Sequence, residues 1–476
     1  MKALKTKIRF EEQQDYNKRS FDMRRVLAVA ALVAFMPTAN AQDKAKADFS
    51  HNGELRLRYW LSQNPGAQED TQSTDSDVHS RFKLGTTFKA SEKVSAHLGV
   101  LHNATFGEDT NTDQVSSTGD NGAENILTVN EAYGNWMFSD DMSFRVGRQN
   151  YQIADGTLIG YNDWEANPGA FEGLLGNWEA GFGKFQLFMF KYRDLTATGT
   201  HPTNGSSASA DPEHNAYGIN FDMKTTPEWF KALNVHVVKD NADAIAATTA
   251  GTPSVQDTSG MDLLRYGVMA GFNFAMVDLK AWYEMQGGSY SQISNTGAKT
   301  EVDAKGSMMQ AEVGFNMENF MGSRFHFRYH QDSGNDGTST GEVGKYDPYF
   351  TEAHNGAGMM DLFGWGNLTY MQLGWAGKMN DKTSFGAAYS MFSRTEKGTG
   401  TDAVVEGSMG SPLPAGDIAK DDIGSELDLW AEHMYDGGLS TLLQVGYFMP
   451  GDYYDNPTTD AGDKVIQVLV QGKMSF

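Results

Sequence analysis

Residues 264–274 read LRYGVMAGFNF and residues 277–286 read VDLKAWYEMQ, with only Ala275 and Met276 between them. In the first run Leu264, Tyr266, Val268, Ala270, Phe272 and Phe274 share one face, and Arg265, Gly267, Met269, Gly271 and Asn273 share the other. In the second, Val277, Leu279, Ala281, Tyr283 and Met285 alternate with Asp278, Lys280, Trp282, Glu284 and Gln286. A period of two is the mark of a strand with one apolar and one polar face. A tilted strand of about ten residues also crosses a bilayer. The two runs therefore read as a hairpin with lipid on one side and a wet lumen on the other.

The unit recurs along the chain as strand, short turn, strand and long polar connection. Strands are expected near 54–62, 80–89, 93–104, 126–138, 142–152, 172–182, 184–193, 214–224, 230–239, 263–274, 277–287, 305–317, 323–331, 366–378, 382–393, 425–434, 439–449 and 465–476. The 172–193 pair departs from the pattern, because both of its faces carry aromatics. Eighteen is an even number, as a closed up-and-down barrel with both ends in the periplasm requires. Short connections such as Ala90-Ser91, Asn380-Asp381 and Asp436-Gly437-Gly438 are assigned to the periplasm. Long ones near 63–79, 105–125, 194–213, 240–262, 332–365, 394–424 and 450–464 are assigned outside the cell. The expectation is an all-β, transmembrane antiparallel barrel in the outer membrane of a Gram-negative bacterium. Closure also removes the unpaired backbone edge that lipid cannot satisfy.

Residues 24–41 read RRVLAVAALVAFMPTANA. A positive start, an apolar run of 11 residues from Val26 to Met36 and an Ala39-Asn40-Ala41 end make a secretory signal peptide, cleaved after Ala41. The run is too short for a spanning helix, which takes about 20 apolar residues. Glu11, Glu12, Asp15 and Asp22 do not suit the positive start of such a signal, so translation is expected to begin at Met23 rather than Met1. Residues 42–476 are then a single barrel domain. The last strand places Ile466, Val468, Val470, Gly472, Met474 and Phe476 on one face and ends in an aromatic, a form of closing strand common in outer-membrane barrels, so the outer-membrane assembly machinery is an expected partner through Phe476.

Composition excludes other classes. The formal net charge is −23, with 38 basic against 61 acidic residues, and a nucleic-acid partner needs a basic footprint. With no cysteine, no disulfide or thiolate site exists. Residues 1–41 carry 8 basic and 4 acidic side chains, so the remaining chain has 30 basic against 57 acidic, a net charge of −27.

Function is read from where these charges lie. The ten arginines after residue 41 fall almost entirely inside expected strands. In SRFHFRYH, residues 323–330, Arg324, His326, Arg328 and His330 face inward while Phe325, Phe327 and Tyr329 face lipid. Arg56 and Arg58 oppose Leu55, Leu57 and Tyr59 in the same way, and Arg81, Arg145 and Arg265 join the inward set. Arg148 shares parity with Phe144 and Val146, so its place in the pore requires a bulge or a position above the bilayer. Rings of charge set ion preference in channels, so one reading is an arginine ladder that attracts anions. The other is that these arginines pair with inward Glu54, Glu284, Glu312, Glu426 and Asp428 to hold the wall. The connections are acidic: residues 64–78 carry Glu69, Asp70, Asp75 and Asp77 without a basic residue. They have two readings: carboxylates that bind divalent cations bridging lipopolysaccharide, or a solvated, repulsive rim, which is the reading taken. No spacing matches a calcium loop, and neither a metal nor a cofactor is assigned.

An eighteen-stranded barrel encloses an aqueous channel, which inward-folding loops must narrow. Residues 153–171 and 345–368, rich in glycine and aromatics, are the candidates. Phe144 to Gln149 reads FRVGRQ, with Asp163-Trp164 shortly after. Together with YDPYFTEAHNGAGMMDLFGWGNL at 346–368, this resembles the alginate export porin family. The likeness lies in Gly147, Arg148 and Gln149, then in Asp347, Pro348, Phe350, His354, Gly356, Asp361, Asn367 and Leu368. The resemblance implies an 18-stranded monomeric barrel whose electropositive conduit is constricted by loops, with Asp163, Trp164, Asp347, His354 and Asp361 at the constriction. Two transport functions follow: a passive channel for small hydrophilic solutes, anionic or saccharide ones among them, or a dedicated exporter of a polysaccharide such as alginate. An enzyme would need a nucleophile, a base and an orienting group on the rim, and no Ser or Asp spacing singles out any histidine. An adhesin with a plugged lumen is the remaining alternative.

Overall fold

The computed structural model describes residues 48–67, 73–106, 126–194, 213–224, 227–242, 260–293, 299–335, 341–348, 352, 354, 356–398, 413, 416–455 and 462–476. The expected signal peptide, the Met23 start and the Phe350 match lie outside the described residues.

The strands are β1 (Asp48–Gln63), β2 (Thr74–Lys89), β3 (Val94–Thr105), β4 (Ile126–Met137), β5 (Met142–Gln149), β6 (Phe171–Ala180), β7 (Gly183–Asp194), β8 (Glu213–Met223), β9 (Phe230–Ala242) and β10 (Gly260–Phe274). They continue as β11 (Val277–Ile293), β12 (Lys299–Met317), β13 (Ser323–Asp332), β14 (Glu342–Val343), β15 (Leu368–Asn380), β16 (Thr383–Arg394), β17 (Asp422–Met434), β18 (Leu439–Pro450) and β19 (Val465–Ser475). The two-residue β14 runs parallel to β12 at Asp303 and Ala304 and is a loop segment, not wall. The other eighteen, among the described residues, form one antiparallel sheet in which each strand pairs with its sequence neighbour. β1 pairs with both β2 and β19, with Arg56 opposite Lys473 on one side and Arg81 on the other, so the sheet closes. Phe476 completes the seam by exchanging backbone hydrogen bonds with Gly53 at 2.7 and 3.1 Å.

Several strands outrun the expected lengths: β1 has 16 residues, β2 16, β11 17 and β12 19. Ten or so suffice for the bilayer; the surplus of β2, β11 and β12 extends the wall toward the long connections, whereas that of β1 lies at the periplasmic end, where Asp48 pairs with Lys89 beside a short turn. The alternation holds as read. Leu264, Tyr266 and Val268 are exposed on the outer surface at 41–43%, whereas Arg265 between them is 1% exposed.

The 172–193 pair is β6 and β7, and its second aromatic face has a packing reason. Leu187 and Met189 point outward to lipid. Phe188 and Phe190 point inward, where they meet Tyr151, Ile153, Leu158 and Ile159 of the segment after β5. The lumen thus holds apolar clusters of its own. A second gathers Met360, Leu362, Phe363 and Trp365 against Tyr370, Phe392, Ile423, Phe448 and Val465 of the β15–β19 wall. A fully buried aliphatic or aromatic side chain contributes about 1.5–3 kcal/mol. Several per loop are enough to hold both segments down inside the barrel.

The first landmark of the expected family is a fold element. Gly147 has φ +128°, and a Cβ there would lie 2.2 Å from the carbonyl oxygen of Ala132. No side chain fits between the two strands at that point, so glycine is required. Gln149 turns its amide back onto the carbonyls of Gly147 and Gly173 at 3.3 and 3.4 Å. Gly147→Val is expected to cost more than the roughly 1–3 kcal/mol of a strained backbone, because the clash adds to it. Thermal unfolding in detergent followed by circular dichroism reads the loss; an unchanged transition would contradict it.

Candidate functional site

Both glycine- and aromatic-rich segments turn into the barrel, and the inward arginines of β1 and β2 hold the first of them. Arg56 donates to the carbonyls of Asp163 (3.1 Å) and Glu165 (2.8 Å). Arg81 donates to the same two carbonyls at 2.7 and 2.8 Å and to Glu54 at 2.6 Å. Arg58 reaches the carbonyl of Trp164 at 2.6 Å and Gln471 of β19 at 2.7 Å. Lys83 forms an ion pair with Asp163. Loop carbonyls facing the lumen otherwise lack partners, and a guanidinium offers five donors in a fixed fork, so one residue satisfies several.

The second segment is fastened to the first. The Trp164 ring lies between two planes: the Arg58 guanidinium at 3.7 Å and the His354 ring at 3.7 Å, inclined by 5°. His354 is oriented by Asp361, whose carboxylate oxygens both lie 2.8 Å from its Nδ1. Glu352 accepts from the Asn162 backbone N–H at 2.7 Å, and its own N–H donates to the Gly156 carbonyl at 3.0 Å. Met359 and Met360 donate their backbone N–H groups to Glu426 of β17 at 2.6 and 3.1 Å. Asp347 is held through its carbonyl by Arg265 at 2.7 Å, and Arg265 also pairs with Asp240. With both faces of Trp164 covered, the ring is a fastener and offers no stacking platform to a solute.

The remaining residues singled out in the sequence lie apart from this clasp. Arg324 bonds Asp278 at 2.5 Å and Glu312 at 2.6 Å, and Arg328 bonds Glu312 at 2.7 Å. His326 contacts Gln372 at 3.0 Å; His330 contacts Asp332 at 3.1 Å and stacks on Tyr370. Two arginines on two carboxylates leave this stretch without excess charge. Arg145 faces inward over the ring of Tyr133 at 4.3 Å. Arg148 stands on the outward row. It is flanked in register by Ala132 and Glu172, pairs with Glu172 at 2.8 Å, and no bulge turns it inward. Along the clasp itself Arg56, Arg58, Arg81 and Lys83 stand among Glu54, Asp163, Glu165 and Asp361, so the narrowing carries both signs of charge.

Lys83 was legible from parity, since it follows Arg81 by two. Glu352 gave no sequence signal, because its role depends on a neighbour 190 positions away.

The loop carboxyls titrate in opposite senses. Burial pushes Asp163 up, but Arg81, Lys83 and Arg56 outweigh it and hold the carboxyl below its ordinary 3.8. Burial, joined by Asp361, raises Glu165 above 4.5, and burial raises Glu352 likewise. A depressed carboxyl stabilises above its ordinary value and loses this as pH falls through the folded one. A raised carboxyl stabilises below its ordinary value and loses this as pH rises through the folded one. The clasp is therefore expected to be tightest in mildly acidic solution, loosening both toward neutrality and toward strong acid. Emission of Trp164 against pH, in a variant with its other tryptophans replaced by phenylalanine, is expected to pass through an extremum there; a monotonic titration would contradict this.

An eighteen-strand closed antiparallel barrel, apolar outside and narrowed by inward loops, defines an integral outer-membrane protein of the porin class in contact with outer-membrane lipid. Solved structures agree in fold. Pseudomonas aeruginosa OccK8 (OprE) matches with a TM-score of 0.55 at 14% identity, over 90% of this chain and 98% of that one. Pseudomonas aeruginosa OpdO (TM-score 0.54, 13% identity, 90% and 97% covered) and OpdQ (0.54, 12%, 90% and 98%) match similarly. Comparison with curated protein sequences finds no match. The sequence profile of the alginate export family covers residues 48–467, and the chain belongs to that family.

Proposed function

We propose that the protein is a passive outer-membrane channel for small hydrophilic solutes, working as a monomer and carrying out no catalysis. The observation that supports this best is the clasp at Trp164, which ties two lumenal loops to each other and to the wall and so narrows a wide barrel without needing a moving part. Because arginines and carboxylates match one another along it, the charge preference of this channel is weak, and the anion-attracting ladder is reduced to a wall-and-loop framework. Planar-bilayer recording tests the reading: an open, ohmic conductance with a reversal potential near zero in a salt gradient is expected. Arg324→Ala with Arg328→Ala uncovers Asp278 and Glu312 and is expected to shift the reversal potential toward cation preference. A silent barrel would defeat the channel reading, and an unchanged potential in the double variant would defeat the charge-matching argument.

Family membership favours a second reading, export of a polysaccharide such as alginate. Under it, an oligouronate added to one side interrupts the current in voltage-dependent events; under the first reading it leaves the current steady. Insertion by the assembly machinery through the strand that ends at Phe476 belongs to both readings, as does removal of residues 1–41.

A further inference from the structure

Between the periplasmic turns and the underside of the 150–161 segment lies a cavity of about 660 Å³, walled by β4 to β8. Small-molecule sites commonly occupy about 300–1,000 Å³. Three of its lining residues carry a buried polar atom with no hydrogen-bond partner: Nε of Arg145, Oδ1 of Asn150 and Oη of Tyr151. Tyr151 is only 5% exposed, its ring fixed against Phe188 and Phe190 at 4.9 and 5.2 Å. Buried polar groups are rarely left unpaired, so a wall holding three of them is short of hydrogen-bond partners, which a ligand with both donors and acceptors supplies once the side chains turn toward it.

A fourth point is aimed by a relay of amides. Asn234 donates to Asn220 (2.6 Å), Asn220 to Gln186 (3.0 Å) and Gln186 to Asn177 (2.8 Å). This fixes which way each amide faces and leaves the Asn177 NH₂ at the cavity with one long contact, 3.4 Å, to Ser143. The charged lining consists of Asp140, Asp141, Glu179 and Asp222 against Arg145 and Lys184. An anion would meet the excess of carboxylates, and a cation would meet Arg145 and Lys184. A neutral solute avoids both penalties, and hydroxyl groups, each donor and acceptor at once, match the amides, the phenol and the guanidinium.

We propose that this cavity is a binding subsite for a neutral polyhydroxylated solute of mono- or disaccharide size. It deepens the channel reading by naming a solute class, and rests on that reading only for how the solute arrives. Equilibrium dialysis of the folded full chain in detergent, with labelled lactose and labelled lactobionate, tests it. Lactobionate is the same disaccharide with its reducing end oxidised to a carboxylate. Saturable lactose binding is expected, with lactobionate weaker by on the order of tenfold (~1.4 kcal/mol). Tyr151→Phe, which keeps the ring packing, and Asn177→Leu are each expected to weaken lactose by a similar factor. Absence of saturable lactose binding, equal binding of lactobionate, or wild-type binding in both variants would overturn the proposal. A barrel that binds lactose but passes no ions would instead defeat the channel reading alone, and an open channel that binds no lactose would defeat the subsite alone.

Discussion

Replacing Arg58 and Arg81 together by alanine is expected to raise single-channel conductance severalfold and to make the open current noisy. Arg58 holds the Trp164 carbonyl, one face of its ring and Gln471; Arg81 holds the carbonyls of Asp163 and Glu165 and the carboxylate of Glu54. Hydrogen bonds to charged groups contribute about 1.5–3 kcal/mol each, so their joint loss amounts to several kcal/mol. Local opening of loops starts from near zero upward, and a deficit of that size frees the segment from the wall. The barrel strands keep their own pairing, so the effect appears in the pore rather than in global unfolding. Arg148→Ala is the contrast. Its pair with Glu172 is solvent- or headgroup-facing, and exposed pairs contribute about 0–1 kcal/mol. Unchanged conductance is expected there. Equal effects from the two variants would contradict the clasp.

Phe190→Ala should loosen the same loop from beneath. Phe190 is fully buried and touches Tyr151, Phe171 and Phe188 with ring centroids 5.2–5.4 Å apart. Removing a core phenylalanine costs about 3–5 kcal/mol. Leu187, three residues earlier on the lipid face, is 61% exposed, and Leu187→Ala is expected to cost far less. Thermal unfolding in detergent and proteolysis within residues 153–161 would measure both. Comparable losses would mean that the inner aromatic face is not a socket.

The wall was readable because a strand in a membrane barrel records its surroundings at every second residue. The Leu264 and Leu57 faces could be assigned without knowing any partner. The β6–β7 hairpin resisted for a physical reason: its inner face meets apolar loop residues instead of water, so the polar half of the pattern vanishes at Phe188 and Phe190. Arg56, Arg58 and Arg81 were legible as inward-facing, but what they bind was not. Their partners are the carbonyls of Asp163, Trp164 and Glu165, and a carbonyl has no letter in a sequence. His354 with Asp361 stood out as polar residues in a glycine-rich loop. Their contact with Trp164 depends on two loops meeting across the lumen, which no local spacing encodes.

The chain contains no cysteine, which makes a paired-cysteine test clean. A Cβ at Gly160 would lie 2.7 Å from Cγ of Glu352, the place where a cysteine at 352 carries its sulfur. Gly160→Cys with Glu352→Cys is therefore expected to form a disulfide readily in the folded barrel, with single-channel conductance the same before and after reduction, because the bond records a contact already made. Two thiols that stay free under mild oxidation, or a conductance that falls when they join, would mean that the two lumenal loops do not rest against each other.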